Sequence, residues 1–189
     1  KRQMLQPVRE TELPPSAASL ETKEYAPSQR AGTQSAAGRQ IDHAVDCIIA
    51  ANKTDDQGLR TVLLDEALHL LHSALDMHPS LLEAARANAN IGLIYLDRSD
   101  LKLAMAYAVE GLNRDAGVLT SWMIAAEAAI RSNDHKKTSM ILQWGENALA
   151  WDAPLIADCL RTDPDCARLA RVLPQWRAGV SLQQALTEP

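Results

Sequence analysis

ARANANIGLIYLDRSDLKLAMAYAVEGLNRDAGV (Ala85–Val118) runs directly into LTSWMIAAEAAIRSNDHKKTSMILQWGENALAWD (Leu119–Asp152), and the two stretches align at a spacing of 34 residues. Gly92 falls on Ala126, Leu96 on Ile130, Ser99-Asp100 on Asn133-Asp134, and Gly111 on Gly145. Each stretch carries apolar residues at helical spacing on both sides of a short polar break, so each reads as a helical hairpin. A single hairpin cannot bury its own apolar face. A repeat of this length therefore implies stacked units that share a core, an arrangement that usually offers a binding surface and no chemistry.

The pattern extends in both directions. Ala67, Ala74 and Pro79 precede Ala104, Gly111 and Ala116 by 37 residues, which makes an upstream unit with an insertion of about three residues at Leu81-Leu82-Glu83. Its helices are expected at Ile41–Asn52 and Leu59–Met77, joined by the polar loop Lys53–Gly58 and closed by His78-Pro79-Ser80. Asp100 and Asp134 are expected to cap the second helices of the two clearer units, accepting from backbone N–H groups that have no partner in the helix. Downstream, Asp152 opens a short helix through Leu160, and Asp163-Pro164 restarts the chain in a helix that stops before Pro174. Ser181 opens a last one. Residues 153–189 thus form a cap over the open apolar end of the stack, packed by Trp151, Leu155, Leu160, Leu169, Leu173 and Trp176. Residues 1–39 are rich in Pro, Ser, Ala, Gln and Gly and bury little, so they read as a flexible tether or a segment that orders on a partner. The repeats occupy 40–152.

Composition narrows the function. The chain is 47% apolar but 4% aromatic, with no Phe, and small residues suit closely approaching helices. Proline is absent between Pro79 and Pro154, as uninterrupted helices require. Net charge is −5, and residues 40–189 hold thirteen Lys/Arg against twenty Asp/Glu. That balance argues against nucleic acid, whose phosphates call for a basic stripe. No apolar run is long enough to span a bilayer.

The repeats resemble the tetratricopeptide family. Gly92, Tyr95, Ala104, Gly111 and Asp115 match its pattern in the first clear unit, and Trp122 and Ala126 in the second. Asn88, Ala116 and Thr138 depart from it. The resemblance implies an all-α solenoid of about three hairpins with a C-terminal helical cap. It also implies that first helices line a concave groove. By position in the motif, Arg86, Ala89, Asn90, Leu93 and Asp97 of one unit, and Thr120, Met123, Glu127, Ile130 and Arg131 of the next, would face a partner segment. Leu93 and Met123 would be the apolar floor, with Glu127 and Arg131 at its border. The family's carboxylate-clamp subtype is excluded, because Asp42, Asp46 and Cys47 stand where its cation and amide are required.

No catalytic motif is present: there is no GxSxG, phosphate loop or HExxH. The chain is therefore read as a non-enzyme without a cofactor. Asp65, His69, His72 and Asp76 share one helical stripe that could approach a metal. Glu66 and Ser73 flank it, so it reads as the polar side of an amphipathic helix, and no metal site is assigned. Cys159 and Cys166 flank a helix break and become a candidate disulfide if the chain is exported, and otherwise are buried thiols. Cys47 is expected in the core.

The functional expectation is a scaffold that binds a protein partner. The resemblance extends to small bacterial cell-envelope proteins that help to assemble pili or secretion channels. The absence of an initial Met, the Pro/Ser/Ala tether and the candidate cystine favour the periplasm or the outer-membrane face over the cytoplasm, with an upstream lipid anchor or removed signal peptide. The alternatives are a cytosolic adaptor or secretion chaperone, and a helical appendage of a membrane enzyme.

Overall fold

The computed structural model describes residues 35–149, 151 and 166–187. All the secondary structure among them is helical. The elements are α1 (Ala36–Lys53), α2 (Gln57–Asp76), α3 (Leu81–Asp97), α4 (Leu101–Arg114), α5 (Leu119–Arg131), α6 (His135–Leu149), α7 (Ala167–Arg177) and α8 (Leu182–Thr187). None is long and apolar enough to cross a membrane. The expectations for residues 1–34, for the helix from Asp152 to Leu160, for the Asp163-Pro164 restart and for Cys159 lie outside the described residues.

Capping residues define where the helices begin. Ser35 Oγ accepts from the Gly38 N–H at 2.8 Å, so α1 starts five residues before the expected Ile41 and takes in the end of the expected tether. Asp56 accepts from the N–H groups of Gly58 and Leu59 and opens α2. Ser80 and Glu83 form a reciprocal capping box at the start of α3, which satisfies two orphan donors at once.

The break in each clear hairpin is one motif used twice. Ser99 and Asn133, 34 residues apart, hold left-handed φ angles of 60° and 56°. At the first break the Ser99 and Asp100 N–H groups donate back to the carbonyls of Leu96 and Tyr95. At the second, Asn133 and Asp134 donate to Ile130 and Ala129. This is the Schellman ending, in which late carbonyls find partners after the helix stops. The same Asp then opens the next helix: Asp100 Oδ1 accepts from Leu103 N at 3.1 Å and Asp134 Oδ1 from Lys137 N at 3.0 Å. Both expected caps are therefore present. Ser181 Oγ likewise accepts from Gln184 N at the start of α8.

One expected boundary is corrected. Pro174 does not stop α7 but lies inside it. A proline there removes one donor to the preceding turn. The helix ends only one turn later in a third Schellman turn at Gly179, and Trp176 of that last turn packs against the core.

Neighbouring helices pack as hairpins, α1 with α2, α3 with α4 and α5 with α6, and α3 also touches both α1 and α5. Ile41, Ala44, Ile48, Leu64, Leu71, Ile91 and Ile94 belong to a first core, and Leu96, Ala108, Trp122, Ile124, Ile141, Leu142, Leu169 and Val172 to a second. Leu93 and Tyr95 of α3 pack against both. Each fully buried Leu or Ile contributes about 1.5–3 kcal/mol relative to exposure. The repeat positions Ala67, Ala74, Ala104, Gly111, Thr138 and Gly145 are all buried. At Gly92 an added Cβ would lie 3.2 Å from the Ala104 carbonyl oxygen, so the small residue there permits α3 and α4 to touch.

Candidate partner-binding cleft

α5 is buried at every position from Ser121 to Ile130. Met123, Glu127 and Ile130 were expected to face an open groove and are instead interior residues. α5 packs against α3, α4 and α6, and α7 also folds back onto it. Glu127, with no exposed side-chain surface, joins the two helices: Oε2 accepts from the Leu169 N–H at 2.7 Å and Oε1 from Arg131 Nε at 2.8 Å. Cys166, the residue before α7, offers no side-chain cap. A carboxylate from another helix therefore serves the first turn of α7, where the helix dipole favours negative charge. Arg131 also donates from Nη1 to the Leu96 carbonyl at 3.1 Å, at the end of α3.

The α3 side of the expected groove is less covered. Arg86, Asn90, Leu93 and Asp97 are all half-buried and follow helical spacing. Their polar groups nevertheless have partners within the chain. Arg86 pairs with Asp42 of α1 at 3.0 Å, Asp97 pairs with Arg60 of α2, and the Asn90 amide donates to the Arg86 carbonyl at 2.9 Å. The charges expected to set a partner's register here tie the first hairpin to α3.

The cleft that forms is shifted towards the C-terminus. Ile130 and Arg131 of α5, Asn133 of the turn, Ala167, Arg168 and Arg171 of α7, and Leu186 of α8 line a space of about 500 Å³. Its arginines differ in their commitments. Arg131 is held by Glu127 and Leu96. Arg171 has a buried Nε without a hydrogen-bond partner, and neither Arg168 nor Arg171 has a carboxylate within salt-bridge distance among the described residues. An unsatisfied guanidinium N–H out of water is costly. Beside the apolar Ile130 and Leu186, the two cations can receive a carboxylate together with a nonpolar side chain.

Sequence reasoning found Ile130 and Arg131 but missed Arg168, Arg171 and Leu186. One signal was available: Arg168 and Arg171 are three residues apart, and so share a helix face. A second was Glu127, a lone charge within the apolar run WMIAAEAAI (Trp122–Ile130); a buried charge must have a partner.

The Asp65, His69, His72 and Asp76 stripe does not come together as a ligand set. Asp65 pairs with Arg98 at 2.7 Å, and the His72 ring packs edge-on against Tyr107 with centroids 6.1 Å apart. Burial lowers the His72 pKa, partly opposed by Asp76. The Cys159–Cys166 pairing falls outside the described residues. No protein-family model, curated protein or solved structure matches this chain.

Proposed function

We propose that this chain is a non-catalytic, tetratricopeptide-like scaffold that binds an acidic, partly apolar segment of a protein partner where α5, α7 and α8 meet. The repeat reading is supported by the identical turn and cap chemistry at Arg98–Asp100 and Ser132–Asp134. The binding reading is carried by one observation: in a chain of net charge −5, Arg168 and Arg171 stand without carboxylate partners among the described residues beside Ile130 and Leu186. Apolar contact supplies affinity, and the guanidinium forks select and orient carboxylates.

A random peptide display library panned against the intact chain tests this. Enriched peptides should combine Asp, Glu or a free C-terminus with a neighbouring Leu, Ile or Phe. Arg168→Glu with Arg171→Glu should abolish the enrichment while leaving helicity unchanged. No enrichment, or enrichment insensitive to the double reversal, refutes the assignment.

A further inference from the structure

At the opposite end of the chain, His43 and Cys47 lie four residues apart on α1, so they are neighbours on one face of the helix. Glu66 reaches the same point from α2. A ligand atom from each of the three, imidazole nitrogen, thiol sulfur and carboxylate oxygen, lies within 4.8 Å of the other two. Among the described residues this is the group of His, Cys, Asp and Glu side chains that comes together in this way.

The three side chains are also uncommitted. Several carboxylates on the molecule are paired, Asp42 with Arg86, Asp65 with Arg98, Glu110 with Arg114 and Glu146 with Arg177, while Asp46, Asp55 and Asp76 are not among the described residues. Glu66 has no Lys or Arg within salt-bridge distance, and His43 has no hydrogen-bond partner among the described residues. Cys47 is a free thiol, buried but at the edge of the core. Burial, with the Glu66 and Asp46 carboxylates beside it, pushes the thiol pKa up.

We propose that His43, Cys47 and Glu66 form a zinc site that joins α1 to α2. One nitrogen, one sulfur and one oxygen ligand suit zinc, and thiolate plus imidazole disfavours calcium and magnesium. Zn–N, Zn–O and Zn–S bonds of about 2.0–2.3 Å place tetrahedral ligands roughly 3.5 Å apart. His43 and Glu66 are exposed, so they can rotate inward by the remaining distance of about 1 Å. Three protein ligands leave a fourth position open to water or an outside donor. Binding releases the Cys47 proton to solvent; thiolate and carboxylate then balance the charge of the ion.

Cobalt(II) is the probe, titrated into the intact 189-residue chain under a phosphine reductant. One equivalent should bind and give a thiolate-to-cobalt charge-transfer band with the strong visible absorption of four-coordinate cobalt, and zinc(II) should displace it. Cys47→Ala should remove the charge-transfer band, with Cys47→Ser as the check if the alanine variant loses helicity. His43→Ala and Glu66→Ala change exposed side chains and should weaken binding by more than about tenfold, since even outer-shell losses cost that much. Absence of the band at saturating cobalt overturns the proposal. So does a band that survives in the Cys47 variants, or one that follows Cys159 or Cys166 instead.

Discussion

α3 and α5 hold the same place in successive hairpins, yet α3 keeps a half-buried polar strip and α5 is buried from Ser121 to Ile130. At the spacing of 34 residues, Leu93 of α3 corresponds to Glu127 of α5, and Asp97 to Arg131. On α3, Leu93 fills space between two cores, and Asp97 reaches outward to Arg60 of α2. On α5, Glu127 and Arg131 pair with each other and extend to α7 and to the end of α3. Register fixes which way a side chain points. What it meets there is fixed by the next element to pack, and for α5 that element is α7.

The largest effect should come from Glu127→Ala. It takes the Glu127 carboxylate away from Arg131 and from the buried Leu169 N–H, and breaking a buried pair from one side costs about 3–5 kcal/mol. Asp97→Ala removes a pair whose two side chains are each 22% exposed and should cost about 1 kcal/mol. Urea unfolding of both variants measures the difference. Equal losses would show that α7 does not depend on Glu127.

A smaller effect separates the helix crossings. A Cβ on Gly145 would run into the buried Trp151 indole, which is itself held by donation from Nε1 to the Leu142 carbonyl at 3.0 Å. Gly145→Ala should destabilise by about 1–3 kcal/mol through overpacking. Gly92→Ala meets a carbonyl oxygen at 3.2 Å. There the gain in helix propensity of about 1 kcal/mol offsets most of the crowding, so the thermal midpoint should stay near the parent's.

The smallest effect concerns how the two helices begin. Glu83 caps α3, and hydrogen bonds from Ser35 and Ser80 hold its carboxyl below the usual glutamate range. Val118, which stands before α5 where Ser80 stands before α3, makes no side-chain cap. A carboxyl with a lowered folded pKa contributes stability that is complete above its unfolded pKa and is lost as the pH falls through the folded value. Amide-exchange protection at the start of α3 should therefore drop across that acid window, while protection at the start of α5 does not. Glu83→Gln should reduce the pH dependence at α3. Parallel loss at both helices would point to global acid unfolding.

The hairpins were legible in the sequence because their signals are local. Asp100 and Asp134 sit three residues ahead of the N–H groups that they cap, and Gly92 marks the close approach of α3 to α4 within about two turns of the break. Three features depended on distant packing. The burial of Glu127 against the Leu169 N–H required the position of α7, and the pairing of Arg86 with Asp42 and of Asp97 with Arg60 required α1 and α2. His43 and Cys47 announce themselves at helical spacing, but Glu66 joins them only when α1 and α2 run side by side. Pro174 misled because a local rule was overridden: the packing of Leu173 and Trp176 against the core holds α7 together past a proline that removes one donor from it.

Asp100 and Asp134 each end one helix and begin the next, so the two helices of a hairpin share a joint without slack. Changing the angle within a hairpin would break the Schellman bonds and the cap together. The links between hairpins differ: Ser80 and Glu83 fasten the start of α3, whereas α5 starts without a side-chain cap after Asp115 to Val118. Mechanical compliance is therefore concentrated where α4 passes to α5. Under load from a bound partner, the last hairpin would tilt against the first two before either joint within a hairpin gave way.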